Sequence, residues 1–194
     1  MERKILWGVF GLLALVLAVA VTKTLVDQKK FKGVEISPAP SAPVLPSLVD
    51  QKNQPVNSGE FSNEIVLLFF GYTNCPDVCP LTLGKLKTLF DGLSDQEKEN
   101  VQVIMVTTDP DRDTPQQLNS YLSNFNPNFL GLTGKTPELE KAWHDYGVTV
   151  LDGGETHSAR IYVIDKLGKL RLTFPAEMTS DEMLSDVKLL LREQ

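Results

Sequence analysis

The sequence predicts an α/β sandwich, a central mixed β-sheet flanked by helices, and three observations carry that prediction. Residues 65–72 (IVLLFFGY) and 101–108 (VQVIMVTT) are uninterrupted apolar runs of the length and make-up expected of strands buried on both faces. Between them Leu86, Leu89, Phe90 and Leu93 recur at i, i+3, i+4 and i+7, one face of a helix, so the three segments form a parallel crossover unit. Near the end, two strand-like segments around a glycine turn precede another amphipathic helix, which adds antiparallel strands to the sheet.

In chain order, residues 5–21 come first: seventeen residues without a charge, preceded by Arg3 and Lys4. As a helix this run reaches about 26 Å, slightly short of a ~30 Å hydrocarbon core. Thr22, and Lys23 by snorkelling, can extend it. Residues 1–24 are therefore expected to be a retained single-span membrane anchor. A signal peptide cut after Ala20 is the alternative, against which the basic residues Lys23, Lys29, Lys30 and Lys32 count. The same lysines oppose the positive-inside rule for an N-in orientation. Either way the body is expected outside the cytoplasm. Residues 25–46 read as a linker: four prolines fall within 33–46, a density that favours a semi-rigid extended chain over packed structure. The folded domain is expected to span residues 47–194, starting near Ser47.

Within that domain, Thr114-Pro115-Gln116-Gln117 reads as a capping box with proline in the first helical position. The helix it opens shows Leu118, Tyr121, Leu122 and Phe125 on one face. Thr136-Pro137 opens another, with Leu139, Ala142, Trp143 and Tyr146 at the same spacing. Residues 160–165 and 169–174 read as strands around Lys166-Leu167-Gly168. Thr179-x-x-Glu182 caps a last helix bearing Met183, Val187, Leu190 and Leu191. The resulting order, β-α-β-α-α-β-β-α, is compatible with a thioredoxin-like arrangement. In such sheets the chemistry lies beyond the carboxyl ends of the parallel strands.

Charge narrows the function. The net charge is −6 and unevenly spread, with six Lys/Arg against two acids in residues 1–32 and thirteen against 23 in residues 33–194. An acidic body argues against nucleic-acid binding and favours a basic partner. Neither GxxxxGK[ST] nor GxGxxG is present, which argues against the common nucleotide enzymes. Two cysteines are too few for a disulfide-stapled miniprotein.

The chemistry concentrates in GYTNCPDVCP, which places Cys75 and Cys79 between a buried strand and the start of a helix. Backbone N–H groups and the positive end of the helix dipole stabilise a thiolate there. At i and i+4 the sulfurs can share one face, to close a disulfide or to hold one metal ion. A third partner decides between redox work and metal binding, and there are two histidines. His144, on the 136–146 helical segment, reads as a surface residue. His157, after a glycine-rich turn and just before a strand, reads equally as a turn residue or as a ligand. Two thiolates and an imidazole suit copper best, as Cu(I) or Cu(II). Structural zinc usually takes four ligands, and a fourth is not evident. Asp109, Asp111 and Asp113 read first as acids at a helix N-terminus, Arg112 pairing with one of them; the functional reading is that Asp109, at the same sheet end as the cysteines, shapes the site's electrostatics or a partner contact. Asp77 is similarly open: its charge opposes thiolate formation, and a metal or the helix terminus offsets it.

GYTNCPDVCP, TTDPDRDTP (107–115) and THSARIYVID (156–165), in this order, resemble the motifs of the Sco/SenC family of membrane-anchored, thioredoxin-like copper proteins. The resemblance covers about residues 47–192 and extends to the N-terminal anchor. It implies a copper site made by Cys75, Cys79 and His157, and a domain facing the periplasm. It also implies a role in building the CuA centre of cytochrome c oxidase, with the oxidase subunit carrying that centre as partner. Thiol-disulfide reduction, keeping the target cysteines reduced, is the other activity the family implies. This chain departs from the family pattern at Asn74, where histidine is frequent, and in detail over residues 151–155.

Overall fold

The computed structural model describes residues 31–151 and 160–193. The expected anchor (1–24), the first part of the linker and His157 lie outside the described residues. Among the described residues no helix is long and apolar enough to cross a membrane.

Among the described residues eight strands form one sheet: β1 (Val34–Glu35), β2 (Leu48–Asp50), β3 (Pro55–Val56), β4 (Ile65–Gly71), β5 (Val101–Thr107), β6 (Leu130–Thr133), β7 (Ile161–Ile164) and β8 (Leu170–Phe174). They are ordered β1-β8-β7-β4-β5-β6-β2-β3. The helices are α1 (Val78–Asp91), α2 (Asp95–Lys98), α3 (Pro115–Leu122), α4 (Thr136–Asp145) and α5 (Ser180–Arg192). The centre β4-β5-β6 is parallel, while β7, β8 and β1 continue one side antiparallel and β2 and β3 the other. The expected α/β sandwich with a mixed sheet is therefore present.

All seven residues of β4 are buried, as are six of the seven in β5, because helices cover both faces and the pleat sends alternate side chains to each. Val66, Leu68 and Phe70, with Ile104, Val106 and Leu132, join Leu139, Ala142, Trp143 and Tyr146 of the α4 region in one cluster. The other face receives α3 against β6 and α5 against β4 and α1. A side-chain carbon at Gly131 would come within 2.7 Å of Leu122, so glycine lets α3 lie close on β6.

The proline-rich stretch differs from expectation. It is extended but packed: Val34 and Glu35 pair with Thr173 and Leu172, Ser41 bridges to Lys169, and Leu45 is buried in the core. The lead-in before it is also held, because both carboxylate oxygens of Asp186, fully buried on α5, accept the Lys32 N–H (2.9 and 3.0 Å), and one accepts that of Gly33 (2.7 Å). Proline excludes helix and central-strand positions, yet an edge strand leaves one side of its backbone unpaired, and this chain fits there. The packed unit accordingly starts at Lys32 rather than near Ser47.

The capping box at Thr114 is half formed. Thr114 accepts the Gln117 N–H (3.2 Å), but the Gln117 amide turns to Thr73 Oγ1 (3.4 Å) instead of back to the cap. At Thr179 and Glu182 the box is complete.

Candidate thiol site

The site begins where β4 and β5 end together. Thr108 N–H donates to Gly71 O (2.9 Å), which keeps the two carboxyl ends level. The chain then loops through Thr73, Asn74 and Cys75, with Cys75 N–H donating to Tyr72 O (3.3 Å), and enters α1 at Val78. Asp77 is the N-cap residue, but its exposed carboxylate makes no cap bond. The capping acceptor is instead Cys75 Sγ, which receives the Cys79 N–H at 3.4 Å. A sulfur thus occupies the position where a helix N-terminus offers its unpaired N–H groups.

The two cysteines are unbridged and differ in environment: Cys75 is half-buried and Cys79 buried. Partial burial pushes the Cys75 thiol up, but the N–H groups of Cys79, Asp77 and Val78, with the Cys79 thiol, outweigh it and leave the pKa below the ordinary value. Burial pushes Cys79 up to about 12, and the nearby Cys75 and Asp113 add to the rise against a bond from the Tyr72 backbone. One thiol is therefore accessible and readily ionised, while the other stays protonated until something displaces its proton. Cys79 Sγ rests on the end of β4, where a side-chain carbon at Gly71 would stand 2.7 Å from it. Glycine at 71 is required by that sulfur.

Asp113 fixes the loop. It is fully buried and accepts from Thr73 N–H (3.1 and 3.2 Å), Thr73 Oγ1 (2.6 Å) and Thr107 Oγ1 (2.6 Å). One carboxylate thereby joins the end of β5 to a residue two before Cys75. The sequence signals only an acid ahead of a helix, and its partner at Thr73 lies 40 positions away. Asp109 is buried and paired with Arg112, as expected. Trp143 Nε1 donates to Thr107 O (3.0 Å) and fastens α4 to the same end of the sheet. His144 is on the exposed face of α4, its ring 3.4 Å from Asp145.

Chemically, the two sulfurs suit a thiophilic ion or a disulfide. Among the described residues no group of three or more His, Cys, Asp and Glu side chains gathers as a metal cluster would. The expected third ligand, His157, lies outside the described residues, so the described part of the site supplies a two-sulfur donor set.

Comparison with known proteins gives a consistent picture. The SCO1/SenC family model matches residues 46–192. A Stutzerimonas stutzeri protein named for copper binding is 37% identical over 142 residues, covering 73% of this chain and 69% of its own length. The solution structure of apo Sco1 from Thermus thermophilus is 34% identical with a TM-score of 0.72, covering 84% of this chain and 98% of that one. Bradyrhizobium japonicum ScoI with copper bound is 31% identical with a TM-score of 0.68, covering 78% and 100%.

Proposed function

The chain belongs to the SCO1/SenC family, and from that premise we propose that it is a copper-binding metallochaperone that delivers copper to, or prepares, the CuA centre of cytochrome c oxidase. The carrying observation is the pair of unbridged thiols at the carboxyl end of β4, one accepting the other's N–H at 3.4 Å. Cys75, Cys79 and His157 are its copper ligands. Two soft sulfurs and one imidazole accept Cu(I) and also tolerate Cu(II), so a single site can serve both states of the cargo. Copper in a family structure 31% identical to this chain supports the choice of ion. The partner is the oxidase subunit carrying the CuA site. Residues 1–24 anchor the chain by a single span, with the domain on the periplasmic side.

A second reading, a thiol-disulfide reductase, is favoured by the asymmetry of the thiols. The Cys75 thiolate would attack a target disulfide, forming a mixed disulfide and releasing one target thiolate. Cys79, on losing its proton, would then attack Cys75 Sγ, releasing the second target thiolate and leaving a Cys75–Cys79 disulfide. An external dithiol would restore the pair.

His157→Ala separates the readings. In a strain lacking the native gene, the chaperone reading predicts that this variant fails to restore the oxidase copper centre at limiting copper while keeping most of its thiol exchange. Normal oxidase assembly by His157→Ala, together with failure of Cys75→Ser, would decide for the reductase.

A further inference from the structure

α1 buries Cys79, Thr82, Leu83, Leu86, Leu89 and Phe90 on one side. Val78 and Leu81 take no part in that core: one turn apart, they stand 44% and 61% exposed. Among the described residues they are the only exposed large hydrophobics on a helix. Single apolar residues at a surface are ordinary, but two on one ridge, with the exposed Pro76 before them, make a patch. The patch adjoins the reactive thiol, because Cys75 Sγ accepts the Cys79 N–H in the first turn of α1.

The charge around this ridge is negative. β8 runs parallel to β4, since both are antiparallel to β7, so the chain leaves Phe174 at the thiol end of the sheet. Lys85, one turn beyond Leu81, donates to Ala176 O (2.5 Å) and Met178 O (3.0 Å) there and so holds that loop against α1. Asp77 before α1, Glu177 in the loop and Asp111 after β5 are all exposed, and none has an ion-pair partner among the described residues. Of the cations at this end, Lys85 is held by the two carbonyls, Arg112 is paired with Asp109, Lys135 caps α4 on the opposite face, and Arg160 precedes β7.

We propose that the ridge Pro76, Val78 and Leu81 is a docking surface for a partner segment that carries an apolar side chain and a lysine or arginine beside its own cysteines. The inference rests on the reading that Cys75 and Cys79 serve the cysteines of a partner. The apolar side chain would cover Val78 and Leu81, and the cation would face Asp77, Asp111 and Glu177. Such charge matching steers encounter and selects among partners, and the thiol itself needs neither contact to react.

The experiment uses the reduced full chain in detergent and two cyclic peptide disulfides that differ only beside the S–S bond, Leu-Lys in one and Ser-Glu in the other. A small neutral aryl disulfide reports on the thiol alone. The Cys75 thiolate opens the peptide S–S bond to form a mixed disulfide. Cys79 then gives its proton to water and displaces the peptide as a dithiol, leaving a Cys75–Cys79 disulfide. Wild type is expected to reduce the Leu-Lys peptide about 10-fold faster than the Ser-Glu peptide, and the ratio should shrink at high salt. Leu81→Ser should slow the Leu-Lys peptide about 5-fold, with the aryl disulfide rate and the melting temperature unchanged. Glu177→Lys should slow the Leu-Lys peptide and speed the Ser-Glu peptide, a crossover that mere loss of structure would not produce. Equal rates for the two peptides in wild type, with the aryl disulfide still reacting, would overturn the proposal, as would an unchanged preference in Leu81→Ser. A dimer in detergent that Leu81→Ser dissolves would assign the ridge to a second copy and overturn it too. Failure of wild type to react with any of the three disulfides would instead overturn the underlying reading of the cysteines.

Discussion

Asp113 and Asp186 are both fully buried and both hold a distant stretch of chain by its backbone N–H groups, yet they serve different regions. Asp113, at the carboxyl end of the sheet, accepts from Thr73 N–H and from the hydroxyls of Thr73 and Thr107. It joins the thiol loop to β5. Asp186, on α5, accepts from the N–H groups of Lys32 and Gly33, and it ties the start of the packed unit to the last helix. A buried carboxylate matched to backbone donors works as a latch in both places. What each latch does is decided by the segment it closes on: two residues before a reactive cysteine in one case, the entry to the domain in the other.

The largest effect that would sharpen this comparison is expected from Asp113→Ala. Three donors lose their acceptor, and hydrogen bonds to charged groups contribute roughly 1.5–3 kcal/mol each, without simple additivity. Urea unfolding should show a loss of at least about 3 kcal/mol, accompanied by a changed rate of Cys75 alkylation. Asp186→Ala should cost about 1.5–3 kcal/mol. It should also speed hydrogen exchange at the Lys32 and Gly33 amides while leaving the Cys75 alkylation rate unchanged. Equal effects of the two variants on Cys75 would break the distinction.

A smaller effect concerns pH. Burial raises the Asp186 carboxyl above the ordinary value of 3.8, with the Gly33 and Lys32 N–H groups offsetting part of the rise. The folded chain therefore holds this proton more tightly than the unfolded chain. The Asp186 contribution to stability is full below 3.8 and declines as pH rises from there through the raised folded value. Asp186→Asn removes that decline, so above pH 3.8 its stability should fall less with pH, or rise more, than wild type's. Identical slopes in the two proteins would contradict the buried-latch account.

The elements legible in the sequence are those whose burial is complete or strictly one-sided. β4 and β5 are continuous apolar runs, and α1, α3, α4 and α5 carry one apolar face each. β6 (LGLT) escaped because four residues including a glycine show no period, although its burial is nearly complete. β1, β2 and β3 are two or three residues long at the sheet's flanks, and α2 is a single capped turn. Their presence depends on neighbours far along the chain. The cysteine pair was legible because a strand end, a proline-flanked turn and a helix start are local signals. Asp113 and Gln117 were not, because each is defined by what lies across space. Asp113 and Gln117 carried helix-start signals that matched ordinary structural roles.

The most direct test of the central claim is copper titration of the reduced full chain in detergent, beside Cys75→Ser and Cys79→Ser. The account predicts one copper per wild-type chain and an intense sulfur-to-Cu(II) charge-transfer band that either substitution abolishes, since each removes a soft anionic ligand. Full retention of the band in a single-cysteine variant would contradict it.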